Sequence, residues 1–359
     1  MLSVGPWVTD MGKDGFSVLW TTECETLGWV QLEDGTRFYE EFAGRRVFGR
    51  FHSIRIDGDF RGATLRYSIG NREVLDKSNP VKPEYGEECL LGPYRVKTFC
   101  DSSEVCRFSV LNDMHMRVDL YGALASQIDT AATDFIFLNG DMIDKGNYGL
   151  DTLVRYELEP LGRLSAIIPV AYARGNHEGR GDGARKLAMI FPRTGSGKLP
   201  FTYMFRQGPA AFVVLDAGET GVKRSRALSD SDFYEGYLRD QMAWAAEAFK
   251  SEEWTGASYH ICLIHAPMLD ITLPGERVVY GWMNHNFVPL LNEAGVDLMI
   301  GADLHEYRLT PAGRIGNDFP ILVNGKDARM DVVITDGKAS CHFVTSDGKV
   351  RDLTIESAL

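Results

Sequence analysis

The chain has 359 residues, 44% of them apolar and 25% charged, enough material for two folded units with ordinary globular composition. Its net charge of −12 argues against nucleic acid as a bulk partner, because phosphate backbones are held by basic surfaces, yet it leaves room for a small phosphorylated ligand held by a few arginines. No apolar run approaches the ~20 residues that cross a bilayer, and the start, Met1-Leu2-Ser3, has neither a basic stretch nor an apolar one of signal-peptide type.

From Trp7 to about Phe99 the pattern has period two: Phe16, Val18 and Trp20 alternate with outward neighbours, as do Leu65, Tyr67 and Ile69, and then Tyr94 and Val96. Turn sequences such as Glu33-Asp34-Gly35 and Asp57-Gly58-Asp59 separate the strands, which predicts an all-β sandwich over residues 1–103. The polar, proline-bearing segment 76–88 reads as a loop or insertion, and His52 as a surface or internally satisfied histidine. Six cysteines without Cys-x-x-Cys spacing read as buried thiols, with a Cys100/Cys106 bridge left open.

After residue 103 strands alternate with helices. Predicted strands cover Cys106–Leu111, Asp134–Leu138, Ala166–Ala171, Ala211–Asp216, Ser258–Ile264 and Val296–Ile300. Helices are predicted over Arg117–Ile128, Thr152–Leu164, Asp232–Phe249 and Phe287–Ala294, with antiparallel strands around Ile321–Val323 and Val332–Ile334 closing the unit. Continuously apolar strands with intervening helices predict an α/β unit over 104–359 whose sheets are covered on both faces.

Polar clusters stand directly after these strands: Asp113/His115, Asp141/Asp144, Asn176/His177, His265 and Asp303/His305. Singly, each has a plainer reading, since an Asp after a strand caps a helix and a lone His packs or faces solvent. Together, carboxylate, imidazole and amide groups at the carboxyl ends of successive strands suit a divalent-metal centre, and their number suits two ions. Arg174, Arg180 and His285 read either as substrate contacts or, more often, as ordinary surface residues, and Trp282 either lines the pocket or packs.

In Asp113-x-His115, Gly140-Asp141-x-x-Asp144, Gly175-Asn176-His177-Glu178 and His265-Ala266-Pro267 the sequence resembles the calcineurin-like metallophosphoesterase superfamily. Its two-part plan is similar to the purple acid phosphatase branch, with a fibronectin type III-like sandwich in front of a phosphoesterase unit built on two central sheets flanked by helices. The resemblance implies two divalent ions (Mn, Fe or Zn) bridged by Asp141, one also held by Asp113, His115 and His305 and the other by Asn176 and His265. It further implies a metal-bound hydroxide attacking a phosphomonoester or phosphodiester, with His177 acting on the leaving group and Asp144 orienting it. It implies as well a secreted or periplasmic setting. Two departures stand out. Asp303 occupies a position where the family pattern has imidazole; as a ligand it makes the site more anionic and favours harder ions over zinc. Asp144 replaces the tyrosine that colours purple enzymes, which predicts a colourless protein. The rival reading is a catalytically degenerate binding or adhesion protein, which Asp303 keeps open.

Overall fold

A computed structural model describes residues 2–357 apart from 182, 194–196, 220–233, 270–276 and 336, with only the backbone of 277–282. The amino-terminal region is wholly antiparallel. Its strands are β1 (Leu2–Gly12), β2 (Gly15–Leu32), β3 (Arg37–Tyr39), the short pair β4 (Glu41–Phe42) and β5 (Arg45–Arg46), β6 (Phe48–Asp57), β7 (Thr64–Asp76) and β8 (Glu84–Lys97). The 18-residue β2 pairs with β1, β3, β6 and β7, so six strands form one hydrogen-bonded network, with β4 and β5 paired apart. Phe16, Val18, Trp20, Tyr67, Ile69 and Val96 are buried, but so are Ser17 and Leu19, so β2 is covered on both faces over Gly15–Thr22 where alternation with outward neighbours was expected; Leu19 packs with Trp7 in the cluster beneath the helices of the second region. Residues 84–88, expected in a loop, are strand instead. Arg72 pairs with Glu88 and Val74 with Tyr85, and the segment is polar because β8 lies at the sheet edge with much of its length exposed.

The second region holds two six-stranded sheets. The first has the order β11-β10-β9-β18-β19-β20, from β9 (Val105–Leu111), β10 (Phe135–Asn139), β11 (Val170–Ala173), β18 (Ala328–Thr335), β19 (Lys338–Thr345) and β20 (Val350–Glu356). The other runs β12-β13-β14-β15-β17-β16, from β12 (Tyr203–Gln207), β13 (Ala210–Leu215), β14 (Tyr259–Ile264), β15 (Leu298–Gly301), β16 (Arg308–Thr310) and β17 (Ile321–Val323). Strands β9, β10 and β11 are mutually parallel, as are β13, β14, β15 and β17, so their carboxyl ends gather at one edge.

Alternation along the strands explains the layers. Phe135 and Phe137 of β10 join Phe212 and Val214 of β13 between the sheets, whereas Ile136 and Leu138 turn to the opposite face. There they meet helices α1 (Val118–Ala125), α2 (Leu150–Glu157) and α4 (Ala184–Ile190), while Ala211, Val213 and Leu215 face α5 (Tyr234–Ala248) and α7 (Arg277–Glu293). Stacked Phe108–Phe135 and Phe205–Phe212 pairs, with centroids 4.8 and 4.7 Å apart, fill the middle.

Two expected elements are rearranged. The helix expected over Thr152–Leu164 ends at Glu157 and gives way to a 3-10 turn, Glu159–Leu161, with Pro160 inside it and Gly162 (φ +54°) at its end. The apolar run Ala166–Ala171 is divided: Ala166 and Ile167 finish helix α3 (Leu164–Ile167), and the strand starts at Val170 after Pro169. The amino-terminal residues of the expected helix 232–249 and the side chain of Trp282 lie outside the described residues. All six cysteines are free thiols.

Contacts tie the β region to the first sheet and its helices. Trp7 Nε1 donates to the Ile190 carbonyl at 3.0 Å, Thr9 Oγ1 to Val170 O at 2.8 Å and Tyr67 Oη to Ala166 O at 2.7 Å. Inside it His52 is buried, stacks on Trp20 at 4.8 Å and meets Thr26 Oγ1 at 2.7 Å. Burial pushes the His52 imidazole down to about 4. The folded chain thus refuses a proton that the unfolded chain accepts near pH 6.5, so stability is lost as pH falls from about 6.5 to 4. Urea unfolding at pH 7 and pH 4.5 is expected to show this loss, up to ~3 kcal/mol in full, and His52→Gln is expected to remove most of the pH-dependent part.

Candidate metal centre

Five of the predicted residues, Asp113, His115, Asp141, Asp303 and His305, adopt left-handed backbone conformations with φ between 47° and 65°. A non-glycine residue there costs on the order of 1–2 kcal/mol. Only three other described non-glycine residues share this region, Asp10, Ala43 and Met116, so the strain is concentrated where the strand ends meet. Glycine is required beside it. A Cβ on Gly140 (φ +73°) would lie 2.5 Å from Gly175 N, and one on Gly175 would lie 2.2 Å from Asp141 Oδ1.

The edge is stitched across the two sheets. His265 Nδ1 contacts the Asn139 carbonyl at 2.6 Å, Asn139 Nδ2 donates to Ile264 O at 3.2 Å, and the Asp303 amide donates to Asp113 Oδ2 at 3.2 Å. These bonds bring the expected residues together. Asp113, His115 and His305 form one group whose ligand atoms lie within 4.8 Å of one another, and Asp113, Asp141 and His265 form another. His305 Nε2 is 3.4 Å from Asp113 Oδ1, and His265 Nε2 is 3.4 Å from Asp141 Oδ1 and 3.8 Å from Asp303 Oδ1.

The chemistry of these atoms fits divalent cations. A carbonyl only accepts, so His265 donates from Nδ1 and turns its Nε2 lone pair toward Asp141 and Asp303. By the same logic the Asp144 carboxylate, 3.0 Å from His115 Nδ1, leaves His115 Nε2 as an acceptor facing the site. Asp113 Oδ1 is buried and takes no well-formed hydrogen bond among the described residues. The Asn176 amide oxygen lies 3.2 Å from both carboxylate oxygens of Asp141, while its nitrogen faces Arg180 and Glu219. Oxygens turned toward oxygens repel unless a cation lies between them; otherwise the amide rotates and donates to Asp141. Burial alone would lower the His265 pKa, but Asp141, Asp113 and Asp303 raise it well above the ordinary value. The carboxylates thus favour a proton or a metal ion on the Nε2 lone pair, the two competing for the same position.

Two placements differ from expectation. Asp144 reaches His177 through its backbone carbonyl, 2.7 Å from Nδ1, and its carboxylate goes to His115 instead, because the side chain and carbonyl leave the chain in different directions. Arg180 is no ordinary surface residue. Its Nη1 donates to His177 Nε2 at 2.9 Å, and its Nε and Nη2 grip Glu219 at 2.7 and 2.9 Å. Two residues received no role from the sequence. Glu178, although inside the Gly175–Glu178 motif, is buried and accepts the Asp141 and Met142 amides at 3.0 and 2.8 Å, holding the Asp141 loop; burial and then the Asp141 charge push its carboxyl up to about 8. Glu219 had no sequence signal, standing 39 positions from Arg180. Arg174 is paired with buried Asp216 at 2.7 Å, and His285 is exposed on α7.

Residues 106–307 match the sequence profile of the calcineurin-like phosphoesterases, more than half of the chain. The chain belongs to the calcineurin-like phosphoesterase family. The fold of this phosphoesterase is similar to that of a purple acid phosphatase from yellow lupin (Lupinus luteus) seeds, with a TM-score of 0.68 and 14% identity over 98% of this chain and 74% of the other. It is also similar to GAP50, the anchor in the inner membrane complex of Plasmodium, with a TM-score of 0.52 and 15% identity over 71% and 90% of the two chains. Among curated proteins none matches it. Family membership implies divalent metal ions, and the Asp and His groups described above can hold them. Stripping metal with a chelator is expected to lower the melting temperature of the phosphoesterase by several degrees, since a cation that binds only the folded state stabilises it. Differential scanning fluorimetry with and without Mn²⁺ checks this, and Asp141→Asn is expected to abolish the metal-dependent shift.

Proposed function

We propose that this phosphoesterase hydrolyses small phosphomonoesters or phosphodiesters at a centre of two divalent ions. The observation that carries the reading is the pair of ligand groups sharing Asp113: Asp113, Asp141 and His265 are wholly buried, Asp113, His115 and His305 run from the buried carboxylate out to the surface, and outer bonds leave the Nε2 atoms of His115 and His265 as acceptors facing inward. In this reading Asp113, His115, Asp141 and His305 serve one ion, and Asp141, Asn176, His265 and Asp303 the other. Bound there, the ions would supply Lewis acidity toward the phosphoryl oxygens and acidify a water.

The remaining steps belong to the chain. The Asp144 carbonyl fixes the proton of His177 on Nδ1, so Nε2 is an acceptor, held by Arg180. Substrate would replace that contact: Arg180 turns its Nη1 hydrogens to a non-bridging phosphoryl oxygen, and the freed His177 Nε2 takes up a proton and passes it to the departing ester oxygen. Glu219 keeps the guanidinium in plane and accepts from the Asn176 amide at 3.3 Å, which aims the amide oxygen inward. We read residues 1–103 as a fibronectin type III-like module ahead of a catalytic unit over 104–359, bracing β11, the strand that leads into Asn176, through the Thr9 bond.

Metal analysis is expected to give two ions per chain, with hydrolysis of p-nitrophenyl phosphate or its bis ester in Mn²⁺. Asn176→Ala is expected to lower kcat/KM at least a hundredfold and His177→Asn by 10²–10⁴. Undiminished turnover by Asn176→Ala would sink the assignment. A second reading, a catalytically silent binding protein, draws on Asp303 in place of imidazole and on the fold shared with the Plasmodium anchor. Fewer than two ions per chain together with no turnover of either ester would favour it.

A further inference from the structure

Beside His305 a cleft of about 340 Å³ opens between the loop after β17 and the strands β19 and β20. Its near wall is the segment Asn324-Gly325-Lys326-Asp327, which is pinned to the candidate metal centre by four bonds. Asn324 Nδ2 donates to Asn112 Oδ1 at 2.7 Å, and Asn112 Nδ2 returns a bond to Asn324 O at 3.2 Å. The Nη2 of Arg117 donates both to the Lys326 carbonyl at 3.0 Å and to the Asp113 carbonyl at 2.7 Å, and its Nη1 pairs with Asp327. One guanidinium thus holds the backbone of Lys326 against that of a candidate ligand. A cation on a braced loop is preorganised and gives up little entropy when it meets an anion.

The far wall carries a second cation. The Arg351 guanidinium lies 3.9 Å over the Tyr307 ring, and Tyr307 in turn stands edge-on to Phe343 at 5.0 Å and 87°. The stack fixes the plane of Arg351 and leaves its N–H edges directed sideways. Of the charged residues lining the cleft, Asp327 is taken by Arg117 and Lys349 by Asp347. Lys326 and Arg351 make no ion pair among the described residues, and the lining sets Lys326, Lys349 and Arg351 against the carboxylates of Glu306 and Asp327, in a protein whose overall charge is −12. A local excess of positive charge on that background suits an anion.

We infer that this cleft binds a second phosphate of the substrate, held by Lys326 and Arg351, and that the enzyme prefers small bisphosphorylated molecules over monophosphates. This rests on the proposed hydrolase reading. The rings of His177, His115 and His305 follow one another in two 5.0 Å steps, and His305 lines the cleft, so a small molecule with a phosphate at each end can reach from one site to the other. In the reaction the water oxygen forms the new bond to phosphorus and the ester P–O bond breaks. One water proton ends on the departing alcohol oxygen, and that alcohol still carries the second phosphate in the cleft.

The test compares glucose 1,6-bisphosphate with p-nitrophenyl phosphate on the full, metal-loaded chain. The ratio of their kcat/KM values is expected to fall about tenfold in the double variant Lys326→Gln/Arg351→Gln and further in Lys326→Glu/Arg351→Gln, through KM of the bisphosphate. An unchanged ratio, or a wild-type preference for glucose 6-phosphate over the bisphosphate, overturns this inference alone. Wild-type protein that hydrolyses none of these esters overturns the hydrolase reading and this inference with it.

Discussion

The 2.6 Å contact between His265 Nδ1 and the carbonyl of Asn139 joins the last residue of β10 to the first residue after β14. It spans the seam between two sheets whose inner faces meet through an apolar, phenylalanine-rich layer, and it leaves the other imidazole nitrogen facing Asp141. With the Asp303 amide bonded to Asp113 across the same seam, it converts two separately folded strand edges into one rim. The carboxylates at this rim repel one another, and several stand on strained backbone, so the bare arrangement opposes its own assembly. Cations reverse that sign. The site is therefore best understood as a stable frame carrying an unstable polar rim, the frame being the Phe-rich layer between the sheets and the helices outside them.

Support for the rim comes from one level further out. Glu178 holds the Asp141 loop through two amides, Asp144 orients His115, Glu219 orients Arg180 and Asn176, and Arg117 ties the Lys326 loop to Asp113. Each is a titratable group satisfied by the backbone or by a group that itself points inward. Such outer bonds set tautomers and amide orientation, which the inner residues by themselves leave free. They also explain how His177, one residue from Asn176, can play a different part, because its ring is committed to the Asp144 carbonyl and to Arg180, not to the carboxylates.

Much of this was legible in the chain because two periodicities are local. Period two in Leu65–Ile69 and continuous apolar runs such as Phe135–Leu138 reflect whether one face of a strand or both are covered, and a polar cluster after such a run marks a strand end. Boundaries are less legible where proline or an exposed edge intervenes, as at Pro160, Pro169 and residues 84–88. There the decisive quantity is a hydrogen-bond partner, Arg72 for Glu88 for instance, that lies far away in sequence.

Residue order alone supplies the inventory: an all-β region, then strands whose ends bear Asp113, His115, Asp141, Asn176, His177, His265, Asp303 and His305, in motifs that mark the phosphoesterase family. Only the tertiary structure decided which atom of each residue faces which. It turned the Asp144 carboxylate to His115 rather than His177, brought Glu219 to Arg180, and set Lys326 and Arg351 on opposite walls of one cleft. The reason is physical. Residue type and local period follow from the covalent chain and its nearest neighbours, whereas orientation at a seam is settled by packing between elements that share no sequence proximity.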